Sequence, residues 1–127
     1  MANEINLVGV VNDGYDFKPF TQPISINRGD DGYVNVAVID SNQVSTTITG
    51  TVTLSVRNPY DPTSLLFENV VVASNSSSIS FYLSGVDTDI TSFPYLFDVV
   101  LVDSLHTSHL IPPSVLSIDG SVYKSGQ

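Results

Sequence analysis

Apolar and polar residues alternate with period two through most of this chain. From Thr51 to Arg57, Val52, Leu54 and Val56 alternate with Thr51, Thr53, Ser55 and Arg57. That pattern predicts a strand with three apolar side chains on one sheet face and the polar set in water. Ser78 to Leu83 repeats it, with Ile79, Phe81 and Leu83 inward and Ser78, Ser80 and Tyr82 outward. Tyr33 to Asp40 alternates Val34, Val36 and Val38 with Tyr33, Asn35, Ala37 and Ile39, which predicts some cover on its second face as well. Tyr95 to Val102 is apolar on both faces except at Asp98, the pattern of a central strand buried on both sides. Asn6 to Val11, Leu66 to Val72 and Ser114 to Ile118 complete the predicted strands.

Turn chemistry separates these runs at Asp40-Ser41-Asn42-Gln43, at Asn58 to Pro62, at Ser74 to Ser77 and at Asp103-Ser104. Strands of this length and spacing predict a sandwich or barrel. Gly85 to Pro94 is a longer connection with room for one short helical turn, and no window holds an apolar 3.6-residue period for three turns. The first residues differ from the rest, because Asn12-Asp13-Gly14 and Pro19 to Pro23 interrupt the apolar runs and Tyr15, Phe17 and Phe20 sit among them. This divides the chain into an N-terminal arm or edge segment (1–25), one β domain (26–123) and a mobile tail (124–127). The arm either covers its own domain as a local edge strand and loop or lies extended on a neighbouring subunit.

Composition sharpens the fold class. The 127 residues carry a formal charge of −9, and of 13 acidic residues only Glu4 and Glu68 are glutamate. Asp, Asn, Ser and Thr with Val and Ile between them are the residues of strands and turns rather than of helix surfaces. The chain is all-β on composition alone. Nucleic acid is excluded as a partner, since phosphate recognition needs clustered cations and Lys18, Arg28, Arg57 and Lys124 are scattered. No apolar stretch approaches the ~20 residues that span a bilayer, and the start Met1-Ala2-Asn3-Glu4 lacks the basic and apolar character of a signal peptide. The expectation is a soluble protein with no membrane partner, made in a cytosol. The absence of cysteine excludes disulfides, thiolate metal sites and a cysteine nucleophile.

Candidate chemistry is sparse. His106 and His109 are three apart, which on a strand sends them to opposite faces and makes a poor metal clip. Asp87 and Asp89 are weak calcium candidates, with the right oxygen donors but without the spaced run and glycine of an EF-hand loop; aspartates also serve as turn formers. No Gly-x-Ser-x-Gly motif marks a nucleophile, and Asp98 with Asp103 is not a recognisable glycosidase pair. We therefore expect no enzyme and no cofactor. Arg28-Gly29-Asp30 spells the integrin tripeptide but stands where a turn enters a strand, and Asn75-Ser76-Ser77 reads as a polar hairpin tip.

Three segments in order carry a family resemblance. Ile26-Asn27-Arg28-Gly29-Asp30-Asp31 enters the strand Val34 to Ile39, and Ile48-Thr49-Gly50 opens the strand Thr51 to Arg57. Phe93-Pro94-Tyr95-Leu96-Phe97-Asp98-Val99 then runs through a hairpin to Leu110 and the final strand Val115 to Ile118. This succession resembles the small immunoglobulin-like β-sandwich modules of tailed-bacteriophage virions, such as the N-terminal domain of phage baseplate upper proteins. Ile48 stands where those modules have leucine, and Ser92-Phe93-Pro94 where a glycine precedes the tyrosine.

The resemblance implies a single immunoglobulin-like antiparallel β-sandwich with an extended N-terminal arm. It implies a structural role in the virion as capsid decoration or cement, or as a neck, tail or baseplate scaffold. Its partners would be other virion proteins, reached as a homo-oligomer or on a lattice. Arm residues Ile5, Leu7, Val8, Tyr15, Phe17 and Phe20 are the interface candidates. The alternative on the same fold is carbohydrate binding or host adhesion, for which Tyr33, Tyr60, Tyr82 and Tyr123 are the aromatic candidates.

Overall fold

The computed structural model describes residues 3–11, 17–90, 93–104 and 106–120. They form eight strands and one helical turn: β1 (Asn3–Val10), β2 (Ile24–Asn27), β3 (Gly32–Ile39), β4 (Ile48–Asn58), β5 (Asp61–Ser76), β6 (Ser78–Leu83), α1 (Gly85–Thr88), β7 (Phe93–Val102) and β8 (Thr107–Asp119). The strands make two sheets, a three-stranded one in the order β1-β3-β6 and a five-stranded one in the order β2-β8-β7-β4-β5. β1 runs parallel to β3 and β2 parallel to β8; the other neighbours are antiparallel.

Alternation builds the core. Val34, Val36 and Val38 of β3 and Ile79, Phe81 and Leu83 of β6 point to one side, and Val52, Leu54, Val56, Phe97, Val99, Leu116 and Ile118 of the larger sheet meet them in one apolar cluster. Leu7 of β1 lies in the same cluster, so the first strand belongs to this chain's own sheet. The second face of β3 has the partial cover its pattern predicts, with Asn35 and Ile39 half-buried and Tyr33 and Ala37 exposed.

Two loops are fixed by local chemistry. Ser84 caps α1, its hydroxyl accepting from the Asp87 N–H while the Asp87 carboxylate accepts from the Ser84 N–H. In the turn before β3, Gly29 has φ +83°, a left-handed conformation that glycine adopts without steric cost. The buried Thr88 hydroxyl donates to the Asp30 carbonyl and ties α1 to that turn.

β7 departs from the expectation of burial on both faces. Tyr95, Phe97, Val99 and Leu101 are buried, but Leu96 and Val100 are half-buried and Val102 is exposed. The strand is central within its sheet, yet the sheet's outer side is only partly covered at Leu96 and Val100 and open at Val102. Conversely Ser55, expected in water, is buried on that outer side between Glu68 and Asp98 in register.

Candidate protein-interaction surface

Strand register sets the outer face of the five-stranded sheet in rows. Val72 of β5, Thr51 of β4, Val102 of β7 and Thr107 of β8 lie side by side, and the next row is Val70, Thr53, Val100 and His109. Valine and threonine dominate both rows. The ionisable groups collect further along, where Glu68, Ser55 and Asp98 share a row with Arg57 beyond it. His109 Nε2 lies 3.2 Å from Asp98 Oδ2, a pair that becomes ionic only on protonation of the imidazole. The run Val70-Val71-Val72 is the sequence signal for this face, since Val71 turned inward forces both neighbours outward.

The sheet edges are treated unequally. On the rim of β1, the side chain of Gln22 accepts from the Val8 N–H at 2.8 Å and donates to the Val8 carbonyl at 2.6 Å. On the rim of β6, Asn69 Nδ2 donates to the Tyr82 carbonyl at 2.8 Å. Thus a side-chain amide covers part of each edge of the three-stranded sheet. The β2 rim is four residues long. The β5 rim is 16 residues long, and its main chain has no strand partner on the outer side among the described residues. Short or blocked edges resist further strand pairing, whereas long open ones invite it.

The outer face of the three-stranded sheet has a different character. Tyr33 and Tyr82 stand opposite one another in register, with ring centroids 5.1 Å apart. Tyr82 donates its hydroxyl to Asp31 at 3.2 Å, and this hydrogen bond to a carboxylate raises the phenol's pKa above its ordinary value. Beside the rings, Ser80 donates to Asn35, which donates to Asn6. Tyr60 is highly exposed in the turn between β4 and β5, apart from this pair in the fold, and Tyr123 lies outside the described residues.

The arm candidates are dispersed by the fold. Leu7 is in the core, Ile5 packs against it and Val8 is half-buried. Phe17 and Phe20 form a tilted pair with centroids 5.8 Å apart, Phe20 exposed, while Tyr15 lies outside the described residues. The tail 124–127 also lies outside them. Asp87 is engaged in the α1 cap and Asp89 pairs with Arg28 Nε at 3.0 Å, so the two carboxylates serve separate contacts. The Arg28-Gly29-Asp30 segment forms the turn expected of it. His106 sits in the β7–β8 turn, its N–H bonded to the Asp103 carboxylate, while His109 is on β8. Between the rims of β1 and β2 an open cleft of about 270 Å³ is bordered by Glu4, Ile5, Ser25, Ile26, Asn27 and Asp119.

No protein-family model matches the chain, and no curated protein matches it either. Among solved structures it is similar to the N-terminal domain of phage TP901-1 ORF48, with a TM-score of 0.53 and 7% sequence identity. The similarity covers 93% of this chain and 98% of that one. At that identity the likeness is one of fold.

Proposed function

We propose that this chain is a non-enzymatic structural module of a tailed-phage virion, of the immunoglobulin-like kind, that works by docking onto other proteins. The observation that carries this reading is the similarity of fold to a phage domain over 93% of this chain and 98% of that one. The order of short motifs from Ile26 to Ile118 supports the same reading. The division of the N-terminal region between the two sheets, with β2 parallel to the last strand β8, supports the immunoglobulin-like type. The surface supports docking. An aliphatic outer face beside an open sheet rim offers both apolar contact and main-chain pairing, and the charge of −9 keeps the free subunit soluble. Within the virion, capsid decoration and neck, tail or baseplate scaffolding all use such contacts, and exposed Phe20, against the half-buried Phe17, is a further anchor for them.

The test is to purify particles from the phage that encodes this chain by density gradient and search them for its peptides by mass spectrometry. Stoichiometric recovery with the particles is expected. Peptides in the lysate but not in the particles would overturn the reading.

One observation favours a second reading, host adhesion through carbohydrate. The Tyr33–Tyr82 pair next to Asp31, Asn35 and Ser80 sets aromatic faces beside polar groups, the combination that sugar binding uses. A saccharide array probed with the wild-type chain and with Tyr82→Ala separates the two readings, because only adhesion predicts a signal that the substitution removes.

A further inference from the structure

We infer that β5 is a self-docking edge, along which two copies of this chain pair antiparallel about a twofold axis at Val71 and join their five-stranded sheets into one continuous sheet. This goes beyond the virion reading and does not depend on it.

The first argument is main-chain geometry. Asp119 directs its carbonyl to β2, where it accepts from the Arg28 N–H. Successive residues of a strand alternate between their two neighbours, and antiparallel partners face each other or both face away. Carried through the registers of β8, β7 and β4, this turns Phe67, Asn69 and Val71 toward β4 and leaves Glu68, Val70 and Val72 with their N–H and C=O groups at the open rim. Ser74, next at the rim, has its N–H taken by its own neighbour Ser76 Oγ.

The second argument is charge. A copy bearing −9 repels another copy everywhere except where charge is absent. From Asn69 to Val86 the chain has no Asp, Glu, Lys, Arg or His, and within that stretch Val70 and Val72 are 54% and 79% exposed. A cationic partner would favour an acidic surface; an uncharged strip on an acidic chain suits a second copy of itself.

The third argument is self-complementarity. A twofold axis at Val71 sets Val70 opposite Val72 of the second copy and Glu68 opposite its Ser74, so no carboxylate meets another. The row Val102, Thr51, Val72 then continues into Val70, Thr53 and Val100 of the second copy. The isologous contact closes on itself, as a twofold interface requires.

The test is sedimentation velocity of the full chain over a concentration series, with wild type and Val72→Glu. The wild type is expected to show a reversible dimer. Val72→Glu is expected to lose it while keeping its circular dichroism spectrum, since the side chain it alters is solvent-exposed. Because the chain has no cysteine, Val70→Cys and Val72→Cys report the register directly. Opposed residues of a hydrogen-bonded antiparallel pair have Cα atoms about 5.5 Å apart, within disulfide reach. Mixed and mildly oxidised, the two variants are expected to give the crosslinked heterodimer. A wild type that stays monomeric at the highest concentration, a Val72→Glu variant that dimerises like wild type, or no crosslink in the mixture would each overturn the inference.

Discussion

Gln22 pairs with Val8 as a neighbouring strand would, its side-chain amide meeting both the N–H and the carbonyl of a single residue on the rim of β1. Gln22 is itself held by its own N–H, which donates to Ser114 Oγ at 3.0 Å on β8 of the other sheet. The contact therefore joins the two sheets at one flank and closes part of an edge.

Replacing Gln22 by Ala should remove two partly buried hydrogen bonds, each worth about 0.5–1.5 kcal/mol net. The expected loss is about 1–3 kcal/mol in urea unfolding. Gln22→Glu should lose at least as much, because a carboxylate oxygen then faces the Val8 carbonyl in place of the Nε2 donor. An unchanged midpoint in both variants would show that water substitutes for the amide at no cost.

Asn69 does the corresponding work at the opposite rim, with one bond to the Tyr82 carbonyl. Asn69→Ala should cost about 1 kcal/mol. Since Gln22 and Asn69 act on opposite edges of the three-stranded sheet and share no partner, their effects should add within ~0.5 kcal/mol in the double variant. A marked departure from additivity would mean that the sheet responds as one unit to the loss of either edge contact.

Neither amide contact was legible in the sequence, because each joins residues whose proximity is a product of the tertiary fold. The strands themselves were legible where alternation is clean, and Ser78 to Leu83 is β6 to the residue. β2 escapes the alternation pattern: it has only Ile24 and Ile26 as apolar residues, and it forms by parallel pairing with β8, some ninety residues away. In β8 the predicted strand covers only Ser114 to Ile118, just after Pro112-Pro113. The register shifts opposite Phe97 to Val100 absorb the prolines, and the strand runs from Thr107. β5 is longer than the predicted Leu66 to Val72, because Asp61-Pro62 has the residues of a turn but is tolerated on a rim strand that needs no donor on its outer side. The candidate surface is half-visible in the sequence: β7 is apolar on both faces, but alternation cannot say whether another element covers the second one.

Gly50 and Gly29 both have positive φ, and they should respond differently to a methyl group. At Gly50 (φ +146°) an added Cβ would sit 2.5 Å from the Val102 carbonyl oxygen, a main-chain atom of the adjacent β7 that cannot rotate away. At Gly29 (φ +83°) a Cβ would meet nothing within 4 Å. Gly29→Ala should then cost only its conformational strain, about 1–2 kcal/mol. Gly50→Ala should cost strain plus the clash, at least ~3 kcal/mol. Thermal unfolding of the two variants side by side checks the order, and equal losses would mean that β4 and β7 part at little cost around residue 50.

Tyr82 and Asp31 give the protein an alkaline titration with a defined sign. The phenol O–H donates to the carboxylate, so losing the proton removes the donor and places two negative charges side by side. Those effects, the hydrogen bond first, hold the folded-state pKa above the ordinary phenol value of 10.0. A pKa raised by folding means that the contribution to stability is complete below the unfolded value and fades as pH rises through the folded one. The ring-carbon NMR shift of Tyr82, assigned by comparison with Tyr82→Phe, should titrate later than the tyrosine of a model peptide. Asp31→Asn removes the charge and should bring the midpoint back toward the ordinary value. A midpoint that Asp31→Asn leaves unmoved would sink the assignment of the shift to this pair, and would leave the neighbouring Tyr33 and Asp87, which also disfavour the phenolate, as its source.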